Sequence, residues 1–317
     1  MKNVIKIAAV AVALSIGCAH AAEGSSVATP PVNITYWQDF ANGAPAVTLG
    51  SLANRHATII DVAFGSLSAD GSVTYTPTIE SQAQMISDIA ALHAAGKKVL
   101  LSLGGQNANF SQAGSTFEND LENIITTYNF DGVDYDLENG LSASNVGGLI
   151  TSTQNIINYF KAKDKTLIFT TAPQTLDLYN TVIAQGTDPY VQLIKSGLIN
   201  YTAIQLYNTG QMYWPYQPGT EDFTTAYIDN AIVALKKIGV ADPEKLLVLG
   251  FPSNSSAAGS GITSVTDVNK AFLCLKTGTS CQTYQPTSTY PNLAGVMDWD
   301  INWDANNSYD FDNNVNP

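Results

Sequence analysis

Histidine and cysteine are scarce: the 317-residue chain has three of each. His20 falls in an N-terminal leader, which leaves His56 just before an apolar run and His93 within an amphipathic one. Both read as ordinary surface or core residues rather than ligands. No Cys/His cluster has metal-ligand spacing, and a Ser-His-Asp site would have to be built on these two histidines. Basic residues are also few, 14 against 27 acidic. Such a surface is soluble and repels nucleic acid and anionic membrane, so neither is expected as a partner. No Gly-x-Gly-x-x-Gly or Walker pattern follows any strand-like run, which weakens nucleotide-binding folds, and no cofactor is expected. The apolar run from Ile7 to Gly17 falls short of the ~20 residues that a membrane span needs.

That run does have the form of an export signal. Met1-Lys-Asn-Val-Ile-Lys6 supplies the positive start, and Ala19-His20-Ala21 a small-residue cleavage site. We therefore expect a signal peptide over 1–21 and a secreted product, extracellular or periplasmic. Cys18 hints at a lipoprotein box, but Ser15 stands where such boxes want an aliphatic residue. Removing 1–21 takes away Lys2 and Lys6 and no acid, leaving 12 basic against 27 acidic residues, a net charge near −15. Only Cys274 and Cys281 then remain, and in an exported protein they are expected to form a disulfide, two inert thiols being the alternative.

Residues 22–31 read as a flexible lead-in. From 32 to 317 no linker or composition break appears, so one domain is expected, as a monomer. Eight apolar strand-like runs recur: Val32–Tyr36, Thr58–Phe64, Lys98–Leu103, Phe130–Glu138, Thr166–Thr171, Tyr201–Tyr207, Lys245–Phe251 and Leu293–Trp299. Helical patterns separate them, at Glu80–Ala95, Phe117–Thr127, Asn145–Lys161, Pro189–Ser196, Asp222–Lys237 and Ser264–Lys276. In the first, Met85, Ile86, Ile89, Ala90 and His93 form the expected buried stripe. Apolar strands alternating with helices imply a parallel sheet covered on both faces. Eight such units predict a (β/α)8 barrel, with a doubly wound sheet as the alternative. The Asp- and Asn-rich stretch Asp304–Asn316 lacks the spacing of a known calcium loop and reads as a solvated tail.

Barrel enzymes work at the C-terminal ends of their strands. Here those ends are polar or unusual: Tyr36-Trp37-Gln38, Ser102-Leu-Gly104-Gly105, Ala172-Pro-Gln174, Gln205-Leu-Tyr207-Asn208 and Trp299-Asp300. The fourth run is the most unusual, Phe130-Asp-Gly-Val-Asp134-Tyr-Asp136-Leu-Glu138. Asp134, Asp136 and Glu138 alternate with Val133, Tyr135 and Leu137, so in a strand the three carboxyls share one face, roughly 6–7 Å apart at ~3.3 Å per residue. Three adjacent acids repel one another, and Asp136 within hydrogen-bonding distance is expected to raise the pKa of Glu138 and keep it protonated. Tyr36, Trp37, Tyr207, Trp299 and Trp214 offer flat apolar faces. Carboxyls beside aromatic faces suit a sugar ring, and an acid of raised pKa suits glycosidic cleavage. A magnesium site of the enolase kind is the alternative for the row, but no Lys or His base lies near a strand end, so no metal is expected.

The run Asp131-Gly-Val-Asp134-Tyr-Asp136-Leu-Glu138 resembles the Asp-x-x-Asp-x-Asp-x-Glu signature of glycoside hydrolase family 18, the chitinases. Ser102-Leu-Gly104-Gly105 resembles that family's Ser-x-Gly-Gly on the third strand, and Gln205-Leu-Tyr207-Asn208 its sixth-strand motif. Gly295-Val-Met-Asp-Trp299-Asp-Ile-Asn-Trp303-Asp304 resembles its eighth-strand segment. The resemblance covers residues ~32–305 and implies a retaining, substrate-assisted hydrolysis of N-acetylglucosamine chains. It implies that Glu138 protonates the glycosidic oxygen and Asp136 orients the 2-acetamido group. It further implies that Asp134 shares a proton or hydrogen bond with Asp136, that Tyr207 donates to the acetamido oxygen, and that Trp299 forms the sugar's floor. Tyr36, Gln205, Asn208, Gly104, Gly105, Gln174 and Trp214 are the further substrate-binding candidates, and chitin or chitooligosaccharide the expected partner. Asp131, out of phase with the row, reads as structural. Asp300 stands where many relatives have Ser. Only ~40 residues separate the last two strands, too few for the α+β insertion that walls some chitinase clefts, so an open groove and endo cleavage are expected. Two alternatives remain: an endo-β-N-acetylglucosaminidase acting on the N-glycan core, and a silent chitin-binding lectin.

Overall fold

The computed structural model describes residues 30–209 and 215–317. The signal 1–21, most of the lead-in 22–31, and Trp214 lie outside the described residues. Nine strands form, in order β1 (Val32–Gln38), β2 (Ile59–Leu67), β3 (Val73–Thr74), β4 (Lys98–Gly104), β5 (Gly132–Asp136), β6 (Ile168–Thr171), β7 (Tyr201–Gln205), β8 (Leu247–Pro252) and β9 (Gly295–Trp299). Eight of them pair in parallel in a closed ring, β1 bonding both β2 and β9, while β3 is a short antiparallel addition to β2. The expected (β/α)8 barrel is therefore present as a single domain, and the doubly wound alternative is excluded by ring closure.

Helices cover the outside: α1 (Gln82–Ala94), α2 (Ser115–Tyr128), α3 (Val146–Lys161), α4 (Asn180–Gln185), α5 (Pro189–Lys195), α6 (Glu221–Lys237), α7 (Val265–Thr277), α8 (Ile301–Asn306) and α9 (Asp310–Asn314). Two apolar layers follow from strand alternation. Trp37, Val133, Tyr135 and Leu137 face outward into the large core beneath the helices. Ile34, Tyr36, Ile59, Leu100, Ile168 and Met297 pack inside the barrel.

Local chemistry explains several element ends. Ser81, Thr220 and Ser264 accept a backbone N–H at the start of α1, α6 and α7, and Asp188 accepts two at the start of α5. Asn129 ends α2 in the left-handed region, which Asn tolerates better than most residues. Cys274, buried on α7, is joined to Cys281 in the following loop, with Cα atoms 4.9 Å apart. Between β8 and β9 the only helix is α7, with no α+β insertion.

Three expectations need correction. The buried stripe of α1 is Met85, Asp88, Ile89 and Leu92, whereas Ile86 and Ala90 face out. Asp88 turns inward because its carboxylate accepts from Gly50 N and Gln84 Nε2. The segment after Asp304 is no solvated tail: Asp304 accepts from Phe311 N and Asp312 N, and Asp312 in turn accepts from His56 N and Ala57 N. Both acids are buried, since their oxygens replace water for backbone donors at the barrel wall. Trp37 faces the helices, not the mouth, and donates to Val47 O.

Asp131 has the structural place read for it at the start of β5. Its carboxylate meets His93 Nε2 at 2.7 Å, Val99 N at 2.8 Å and Lys98 Nζ at 3.3 Å. Burial alone pushes this carboxyl up, but His93, Val99 and Lys98 together outweigh it and hold the pKa below the usual range. The acid thus ties α1, β4 and β5 together at the end of the barrel away from the site.

Candidate active site

The acids on β5 point into the barrel and toward its C-terminal mouth, as their two-residue period requires. Asp134 lies deepest, fully buried, and accepts from Tyr36 Oη at 2.8 Å, Ser102 Oγ at 2.7 Å and Thr170 Oγ1 at 2.7 Å. Three hydroxyl donors suit an ionised carboxylate, although burial still raises its pKa. Asp136, next outward and also buried, accepts from Gln205 Nε2 at 2.9 Å. Burial first, then the charges of Glu138 and Asp134, push Asp136 well above the carboxylate range. Glu138 is half-buried at the mouth and accepts from Gln174 Nε2 at 3.1 Å. Its pKa is raised by burial, with the amides of Gln174 and Gln205 opposing.

The expected direction at Glu138 is thus present with a different cause. Desolvation raises it, and the like-charge repulsion falls on Asp136, the deeper of the two. Its carboxyl is engaged by Gln205 rather than by Glu138. Around Asp134 the described donors are the three hydroxyls of Tyr36, Ser102 and Thr170.

The close approach of β4 depends on glycine. Gly104 sits at φ 125°, and a Cβ built there would lie 1.9 Å from the Asp136 carbonyl oxygen. Only glycine fits, and the next residue, Gly105, donates its N–H to that same oxygen at 2.8 Å. The Ser-x-Gly-Gly pattern therefore reflects contact with the backbone of the acid row.

A cavity of about 970 Å³ opens above the row. Of the sequence-derived candidates, Glu138, Asp136, Tyr207, Gln205, Asn208, Trp299, Gly104, Gly105 and Gln174 all line it. Asp134 and Tyr36 do not. Tyr36 is 1% exposed and lies beneath the cavity with its hydroxyl on Asp134, so the expectation of a sugar-facing surface there is corrected. The hydroxyls of Tyr36 and Tyr207 are held well above their ordinary pKa, chiefly by burial and then by the nearby acids, and so remain donors.

The lining also contains groups not singled out from the sequence. Phe64, at the end of the second strand-like run, stacks between Phe40 (6.2 Å) and Trp299 (5.8 Å), each at an interplanar angle of 19°. Trp303 and Asn42 complete that wall. The lining also carries the amides of Gln106 and Asn107. Deeper, on β2, Asp61 is 1% exposed, and neither of its oxygens has a partner among the described residues. Burial first, then the charges of Asp134 and Asp136, push its pKa well above the carboxylate range. Its alternation with Ile59 and Ala63 was the available signal.

The arrangement places a protonatable carboxyl of raised pKa at a sugar-sized cleft lined by stacked aromatics and by amides. Among the described residues no group of three or more His, Cys, Asp or Glu is disposed to hold a metal ion.

The model of glycosyl hydrolases family 18 matches residues 32–313. Chitinase Chi52 of Paenibacillus xylanexedens is 31% identical, over 88% of this chain and 59% of its own length. A family 18 chitinase from Chromobacterium violaceum, known by crystal structure, is 30% identical with a TM-score of 0.77, covering 92% of this chain and 84% of that one. A xylanase and α-amylase inhibitor protein from Scadoxus multiflorus, 19% identical with a TM-score of 0.62 over 90% of this chain and 97% of that one, shares the fold alone. The chain spans about three fifths of the length of the first curated relatives it matches. With the family model matched over nearly all of the barrel, the chain belongs to glycosyl hydrolases family 18.

Proposed function

We propose that this chain is an exported chitinase that hydrolyses β-1,4 linkages between N-acetylglucosamine units, within the chain rather than from its ends. The observation that carries the reading is the graded acid row. One half-buried carboxyl of raised pKa faces the cleft, a buried one lies beside it, and a third is fixed below by three hydroxyls. The names of the relatives support the substrate class.

Glu138, protonated, gives its proton to the glycosidic oxygen as the C1–O bond breaks and the aglycone leaves as an alcohol. The carbonyl oxygen of the substrate's own 2-acetamido group forms the new bond to C1, giving a cyclic oxazolinium ion with no enzyme nucleophile. Asp136 accepts the acetamido N–H, its negative charge favoured by the positive charge that forms beside it, and Asp134 shares a proton or hydrogen bond with Asp136 from below. Tyr207, held protonated, donates to the acetamido oxygen, while Trp299 supports the ring. Glu138, now a carboxylate, takes a proton from water as that water opens the ring, and the configuration at C1 is retained. Endo action is supported by the lack of an α+β insertion walling the cleft.

Products from chitohexaose, with a high-mannose glycoprotein run alongside, test the reading. We expect internal cleavage to chitobiose, chitotriose and chitotetraose, and an unchanged glycoprotein. Release of the glycan without hexaose cleavage would identify an endo-β-N-acetylglucosaminidase. Binding without any cleavage would identify a lectin.

A further inference from the structure

Asp300 is fully buried and does not line the cavity, yet it connects two pieces that do. Its Oδ1 accepts from Asn302 N (2.9 Å) and Trp303 N (3.0 Å), capping α8, which carries Trp303. Its Oδ2 accepts from Gln38 Nε2, at the end of β1. Asn302 extends the connection: its Oδ1 accepts from Gln38 N at 2.9 Å, and its Nδ2 donates to Pro45 O at 3.2 Å.

Gln38 and Pro45 are the two ends of the loop that bears Phe40 and Asn42, both of which line the cleft. The loop is therefore fastened at both ends to the residues that follow Trp299. Gln38 and Asn302 are almost fully buried, so water does not compete for these bonds, and losing one leaves a buried donor or acceptor unmet. We propose that Asp300, acting with Asn302, is the positioning residue for the aromatic wall, holding Phe40, Asn42 and Trp303 at the spacing that binds the sugar chain. The proposal deepens the chitinase reading and rests on it for the identity of the sugar.

The bonding pattern sets a graded series of variants. In D300N the side-chain oxygen still caps α8, and its amide group faces Gln38. Among the described residues the Gln38 Oε1 has no partner. Turning the Gln38 amide over lets that oxygen accept from the new amide, so the connection is restored. D300S keeps a cap for α8 but is too short to reach Gln38. D300A loses both. N302A releases the loop without uncapping the helix through residue 300.

The test measures kcat and KM on chitohexaose, and melting temperature, for the wild type and these four variants. D300S and N302A are expected to raise KM roughly tenfold, about the effect of losing one or two buried hydrogen bonds, with kcat within about twofold. D300N is expected to return KM to within about twofold of the wild type, since one pair of bonds replaces another. D300A is expected to add a lower melting temperature to the KM effect. Should D300A fail to fold, D300S and N302A still decide the matter. An unchanged KM in folded D300S and N302A overturns the proposal, leaving Asp300 a helix cap. A fall in kcat at constant KM overturns it as well. The chitinase reading fails separately, on the wild type, if chitohexaose is not cleaved. The calorimetric dissociation constant for chitohexaose then reads the same series without turnover.

Discussion

Glu138→Gln is expected to lower chitohexaose turnover by about three to four orders of magnitude, the contribution of a well-placed general acid and base. The argument rests on what glutamine keeps and what it lacks. Its side-chain oxygen can still accept from Gln174 Nε2, so the local hydrogen bond and the shape of the cleft persist. It cannot release a proton to the leaving oxygen, nor take one from water in the second step. Binding should therefore stay within about threefold of the wild type, because one acceptor is exchanged for another. Initial rates and calorimetry separate the two effects. Residual activity above a tenth of the wild type would place the general acid elsewhere. The proposed role of Glu138 as proton donor gives the pH dependence a definite sign: activity should fall as pH rises through its raised pKa.

Asp136→Asn should cost about two to three orders of magnitude in kcat, the range seen when one buried electrostatic partner of a transition state is removed. Asp136 is 4% exposed, so a charge there acts through protein rather than water. Asparagine retains the shape and can still meet Gln205, but it cannot offset the positive charge of an oxazolinium ion. Substrate affinity, measured by calorimetry in the E138Q background, is expected to change far less than kcat. A kcat within tenfold of the wild type would show that the acetamido group does not depend on this carboxyl.

The barrel and the row were legible because both rest on simple periods. Apolar runs at eight places, separated by helical stripes, leave few folds other than a closed parallel ring. A two-residue repeat puts Asp134, Asp136 and Glu138 on one face whatever the details of the strand. What could not be read was which neighbour each group would choose. Tyr36 and Trp37 look equivalent in sequence, but alternation sends one inward to Asp134 and the other outward to Val47. Asp61 is inconspicuous inside an apolar run, although it shares the interior with the row. Asp304 and Asp312 looked solvated by composition, and only the fold shows that they accept from backbone donors in α9 and before β2 respectively. The cause of the Glu138 shift was equally out of reach, since it depends on burial and on amides arriving from β6 and β7.

The central claim is that the substrate's own acetamido group supplies the nucleophile. Initial rates on chitohexaose and on its fully deacetylated counterpart test this most directly. The account predicts rapid cleavage of the acetylated hexamer and cleavage of the deacetylated one slower by at least about three orders of magnitude, the scale of a lost intramolecular nucleophile. Comparable rates on the two would contradict it.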